Sequence, residues 1–221
     1  MIQLPSLPDE VFAFQDLKED FSYAWISPAQ REAYLSAALG AGRSAAANWR
    51  GHALDEELAR AGVAVRCWPD APSSDIHSQI LWDGGTHQID IFLPTARAVG
   101  EAMAGTSCPL TPEQVKDAFL AHEFYHYLEY STGHWTDELC PPVSKRIFGI
   151  FRTPAPIRRM SEIAAFAFSR EFCGLPVHPK LMDYVLLYQR RGLSESELLG
   201  RMERLAAEYY AACGRAEEGL L

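Results

Sequence analysis

Midway along the chain stand His122-Glu123-Phe124-Tyr125-His126, two histidines four residues apart with a glutamate beside the first. Four residues turn an α-helix through about 400°, so both imidazoles share one face, one turn apart. Two imidazoles so placed can take adjacent corners of a tetrahedral ion, and zinc accepts nitrogen and oxygen donors at about 2.0–2.2 Å. Glu123 sits about 100° around the helix from His122. That keeps it off the ion but beside it, where its carboxylate can take a proton from a metal-bound water. The pattern is H-E-x-x-H, and it needs a helix to work.

A catalytic zinc takes three protein ligands and keeps one open position. Glu129 shares the helix face but lies about 10 Å of rise beyond His122, too far for the same ion, and reads as a solvated or salt-bridged carboxylate. His134 and Asp137 follow closely, yet Glu129 and Thr132 stand where a returning glycine turn and ligand would be needed. The better third ligand is Glu162, in Ser161-Glu162-Ile163-Ala164-Ala165-Phe166-Ala167-Phe168-Ser169. On a helix Glu162, Ala165 and Ser169 share a face, and small neighbours let two helices approach closely enough to share a metal. Apolar Ile163, Phe166, Phe168 and Phe172 bury the rest, so the carboxylate needs a compensating charge, which a divalent ion supplies. The competing role for Glu162 is a surface pair with Arg158 or Arg159. Zinc follows from ligand type; iron, cobalt or manganese suit the same donors.

The elements that must position these residues follow from local signals. Thr111-Pro112-Glu113-Gln114 is a capping box that opens the active helix, which Gly133 ends. Ahead of it, Val63–Trp68 alternates as a strand, and Ser78–Trp82 with His87–Leu93 form a hairpin about Asp83-Gly84-Gly85-Thr86. A short helix follows, to Gly105. Ser27-Pro28 opens a helix expected to stop at Gly40-Ala41-Gly42, and a second is expected from Ser44 to Ala61. Thr153-Pro154 is expected to open the helix carrying Glu162, closed by Gly174. His178-Pro179 opens another, to Gly192, and Ser194–Glu197 caps a last one to Cys213. Residues 1–26, with three prolines in the first twenty positions and little periodicity, are expected to be an extended surface segment. The result is one domain of α+β class over 1–221: a helical pair and a small, mostly antiparallel sheet in 27–110, and a helical half bearing the metal ligands in 111–221.

The chain has 221 residues, 48 % of them apolar, with 29 acidic and 20 basic side chains and a net charge of −9. The acidic balance argues against nucleic acid as a partner. No apolar run is long enough for a bilayer, and the N-terminus has no secretory pattern, so a cytoplasmic location away from membranes is expected. Cys67, Cys108, Cys140, Cys173 and Cys213 are odd in number and scattered, as reduced thiols are, rather than set as a disulfide framework or a cysteine zinc site.

A strand hairpin, a helix with H-E-x-x-H, a later helix with E-x-x-A-x-x-F and a Leu175-Pro176 turn resemble the ImmA/IrrE group of small glutamate-zincin (gluzincin) metallopeptidases. The resemblance rests on His122, Glu123, His126, Glu162, Ala165 and Phe168 and spans about residues 55–180. It implies a hydrolase, a zincin-like metalloprotease, acting on a peptide or protein substrate. His122, His126 and Glu162 would hold one Zn²⁺ per chain, and Glu123 would be the general base. The strand around Ile89–Phe92 would hold an extended peptide, and Tyr184 and His178 are candidates for the oxyanion donor. The alternative is a non-enzymatic, metal-binding regulatory or partner-binding module on the same scaffold.

Overall fold

The computed structural model describes residues 1–73, 76–83, 86–147 and 151–214. It is α+β, with eight α-helices, a three-stranded sheet and a two-stranded sheet among those residues. The helices are α1 (Asp9–Lys18), α2 (Pro28–Asn48), α3 (Leu54–Arg60), α4 (Leu93–Ala104), α5 (Pro112–Thr132), α6 (Arg159–Cys173), α7 (Pro179–Arg191) and α8 (Glu195–Ala212). The strands are β1 (Val63–Trp68), β2 (Ser78–Asp83), β3 (Thr86–Phe92), β4 (Val143–Ile147) and β5 (Phe151–Ala155).

β2 and β3 pair antiparallel as the hairpin signal requires, Ile80 opposite Ile89. The expected Gly84-Gly85 turn lies outside the described residues. β1 pairs parallel with β3, Val65 opposite Ile89, so the order is β1-β3-β2 and the sheet is mixed. β3 is therefore central, with Ile89 and Ile91 fully buried, and β2 is an edge.

α5 forms as its capping box directs: Gln114 N–H donates to Thr111 Oγ1 at 3.2 Å, and Thr111 N–H donates to Gln114 Oε1 at 2.9 Å. It ends on Gly133, whose φ of 68° is the left-handed conformation glycine adopts most readily. The helix packs against α4 and α6 on two sides and against β2 and β3 on a third.

Three expectations fail here. Residues 1–26 are not an extended surface segment. Val11, Phe12, Ala13, Phe14 and Leu17 make α1 a core helix. A helix buried on nearly every side, with Asp9, Gln15 and Asp16 among its buried residues, has little apolar periodicity to read. Its charged ends are neutralised from afar, Asp9 by Arg43 and Arg170 and Asp16 by Lys180.

The helix opened at Ser27-Pro28 does not stop at Gly40-Ala41-Gly42 but runs to Asn48, and the second helix begins only at Leu54. Gly42 is there for packing, since a Cβ on it would come within 2.1 Å of the Ala164 carbonyl oxygen of α6.

Thr153-Pro154 lies in β5 and opens no helix. A two-stranded sheet tolerates proline because each strand has an unpaired edge. α6 starts at Arg159, and its N-terminus is capped from outside: Arg159 N–H donates to Asp20 Oδ2 at 3.0 Å. The helix bearing Glu162 is thus fastened to the N-terminal segment.

His178 is the N-cap of α7. Its Nδ1 accepts from Lys180 N–H at 3.2 Å, and its ring stacks on Phe12. Burial, with Arg170, Lys180 and Arg43 nearby, holds it neutral far below the usual histidine range. The unfolded chain takes up a proton at this residue below about pH 6.5 and the folded chain does not. Stability is therefore lost as pH falls, at about 1.4 kcal/mol per pH unit for this one group. His178→Asn keeps a capping side chain without the titration. Urea melts from pH 7 down to pH 5 should show the gap between wild type and His178→Asn shrinking at that slope. A pH-independent gap would refute the assignment.

Candidate metal centre

α5 presents His122 and His126 to α6, and α6 presents Glu162 back. His122 Nε2 and His126 Nε2 are 3.2 Å apart. Glu162 Oε2 is 3.4 Å from His122 Nε2, and Glu162 Oε1 is 3.6 Å from His126 Nε2. Donors about 2.0–2.2 Å from a tetrahedral ion stand about 3.3–3.6 Å from one another, and the separations here are of that size, with each imidazole facing a different oxygen of the same carboxylate, so that the three side chains form a donor triangle. Two of the three contacts exceed ordinary hydrogen-bond length, so they are not well explained as hydrogen bonds. The group can hold a metal ion, and no other set of three such residues does so among the described residues.

The electrostatics keep the Glu162 carboxyl ionised and draw positive charge to His126. Burial pushes the Glu162 carboxyl up, but His122, His126 and Arg159 outweigh it and hold it down at about 2. Burial opposes charge on His126 too, yet Glu129, Glu162 and Glu123 draw its pKa upward. Arg159 does not take Glu162 as its ion-pair partner; it pairs with Glu19.

Of the two roles expected of Glu129, solvated or salt-bridged, the structure shows the second, a buried carboxylate beside His126. It is 3 % exposed. One oxygen accepts from Thr136 N–H at 2.9 Å and from the Thr136 hydroxyl, whose oxygen also meets the Tyr125 hydroxyl at 2.8 Å. The other accepts from Ser161 Oγ and stands 3.4 Å from His126 Nδ1. Burial raises its pKa, but the donors from His126, Ser161 and Thr136 prevail and keep it below the usual range. Ser161 Oγ stands 3.1 Å from His126 Nδ1 and donates to the anionic Glu129, so the pair can hold the proton of His126 on Nδ1 and leave the Nε2 lone pair free for a metal. Its separation from the ion was legible in the sequence. What went unread is that a residue three positions after His126 can reach the far side of the same ring.

That role has a measurable size. Glu129→Gln should weaken any metal binding at this group about 10–100-fold while the fold survives, as losing such a supporting carboxylate usually does. Competition titration against a chelating dye measures it, and unchanged affinity would dismiss the role.

Glu123 is 6 % exposed, and its Oε1 accepts from Ser78 Oγ of β2 at 2.7 Å. It lines a cleft of about 850 Å³ together with the three metal-ligand candidates and residues Ser78, Gln79, Ile80 and Trp82 of β2. The strand beside the cleft is thus β2 and not the Ile89–Phe92 stretch, which is hydrogen-bonded on both sides in β3. A second pocket of about 270 Å³ opens on the other side of His122 and Glu123. Neither His178 nor Tyr184 lines the cleft or this pocket, so both are set aside as oxyanion donors. His178 is a buried cap and Tyr184 packs against the core. His134 stands outside the donor group, and Asp137 lies on the cleft wall. Among the described residues no helix is long and apolar enough to cross a membrane. Compared with protein-family models, curated proteins and solved structures, the chain matches none, so its reading rests on the residues and geometry above.

Proposed function

We propose that the chain is a zinc-dependent peptidase of the zincin type, with His122, His126 and Glu162 as metal ligands and Glu123 as general base. The observation that carries this reading is the donor group: two imidazole nitrogens 3.2 Å apart, each facing one oxygen of the Glu162 carboxylate at 3.4 or 3.6 Å, spacings that suit three side chains around one ion. A zinc ion there, when bound, acidifies a water molecule and polarises a carbonyl oxygen. The chain's own residues do the rest. Glu123, with Oε1 held by Ser78, uses its second oxygen to take the proton of the attacking water and to pass it to the departing amine. β2 is a sheet edge running into the cleft, so an extended peptide can add to it by backbone pairing.

The test begins with protein purified without a histidine tag. Elemental analysis should find about one zinc per chain, and a mixed peptide library should be cut in a pattern that a chelator abolishes and zinc restores. Cutting that survives metal removal sinks the mechanism. One bound zinc with no cutting leaves the metal-dependent binding module in its place.

A further inference from the structure

Beyond His126 the cleft ends in an aromatic wall. The Trp82 and Tyr130 rings stack with centroids 3.6 Å apart, and Trp135 meets Tyr130 edge-on at 6.0 Å. Tyr130 and Trp135 are 47 % and 39 % exposed, so their rings are open to a ligand in the cleft. Asp137 and Glu138, two and three residues after Trp135, line the same cleft, whose single arginine or lysine, Arg158, is set against five carboxylates. That excess of negative charge persists after two of the charges are matched by a dication. Among the described residues neither Asp137 nor Glu138 makes an ion pair, so both remain available to a ligand. Burial is the main cause that pushes the Asp137 carboxyl up; Glu129 and Glu138 add to it, and Arg158 opposes it.

We infer that this end of the cleft is the subsite for a basic side chain, lysine or arginine, of an extended peptide ligand. The inference rests on the peptidase reading for its ligand and adds what that ligand must carry. The ring faces attract a cation through their quadrupole, while the carboxylates supply the long-range charge complement. An acidic side chain is repelled, and a neutral aliphatic one gains only the ring contact. The spacing also limits where the basic residue sits. Ser78 touches Glu123, and Trp82 is four residues further along β2, about 13 Å away in a strand. Tyr130 is one helical turn beyond His126, about 6 Å along α5. A ligand lying on β2 therefore places its basic residue two to four positions from the bond beside Glu123.

The experiment uses short peptides, acetylated and amidated to remove terminal charges, with one lysine moved along an otherwise neutral sequence. Norleucine at the same position is the control. Binding to the full chain is followed by tryptophan fluorescence, with and without added zinc, using Glu123→Gln so that nothing is consumed. The lysine peptide should bind about 10-fold tighter than its norleucine twin at low salt, the preference shrinking as salt rises. Trp135→Ala, and separately Asp137→Asn with Glu138→Gln, should remove most of the preference, whereas Glu203→Gln on the exposed face of α8 should not. Equal binding of the two peptides, tighter binding of norleucine, or no peptide binding overturns the inference. Hydrolysis by the wild type is scored separately. Charge-selective binding without turnover supports the subsite and removes the peptidase reading, while turnover without charge selectivity does the reverse.

Discussion

Replacing Glu123 by glutamine should leave one zinc per chain and the fold intact while turnover falls by about 10²–10⁴, the range expected when a positioned general base is lost. The two halves have separate causes. Glu123 is not a corner of the donor triangle, so its replacement removes a neighbouring charge but no ligand, and the site still fills at saturating zinc. Glutamine keeps the shape, and its amide oxygen still accepts from Ser78 Oγ, so β2 and α5 stay in register. What disappears is the oxygen that accepts a proton from water. The check is kcat at equal zinc occupancy, with occupancy measured by elemental analysis. Turnover equal to wild type at equal zinc would falsify the role of Glu123. Loss of zinc along with turnover would instead move Glu123 into the ligand set and require a different base.

That prediction was available from the sequence, because everything it needs is local. Four-residue spacing fixes a shared helix face, and the Thr111 capping box and Gly133 fix that the segment is a helix. Glu162 was reachable as well, because a carboxylate beside small residues on an apolar helix has few other compensations. The failures share the opposite property, since each depends on a partner distant in the chain. α6 has no cap of its own, and Asp20, 139 residues earlier, supplies one, so its start could not be read at Thr153. α1 reads as a featureless run because its surroundings are apolar on nearly every side, and its acids are matched by Arg43, Arg170 and Lys180 of later helices. Gly40 and Gly42 look like a helix stop until α6 is laid across Gly42. The choice of β3 over β2 as the cleft strand failed likewise. Sheet order is a tertiary fact, and only the parallel pairing of β1 with β3 makes β2 the edge.

Removing Glu162 should have the largest effect on metal binding and a small one on the fold. Its side chain is 37 % exposed and lies in the first turn of α6, where alanine is well tolerated, so Glu162→Ala should remain folded. The triangle then keeps two imidazoles and loses the one anionic donor, which also balances the charge of the ion. The loss of affinity should exceed the 10–100-fold expected of Glu129→Gln, because a ligand is deleted and not merely freed to rotate. Linkage turns this into a stability measurement. A ligand present at a thousand times its Kd stabilises the folded state by about 4 kcal/mol, provided the unfolded chain does not bind it. Wild type should gain stability of that order when zinc is added to the metal-free protein, and Glu162→Ala should gain close to nothing at the same zinc concentration. His126→Ala should behave in the same way, which separates the loss of a corner from any special effect of the carboxylate. If metal-free wild type and Glu162→Ala were stabilised equally by zinc, the ion would be bound elsewhere, and the convergence of α5 and α6 would have to be explained as an ordinary histidine–carboxylate contact.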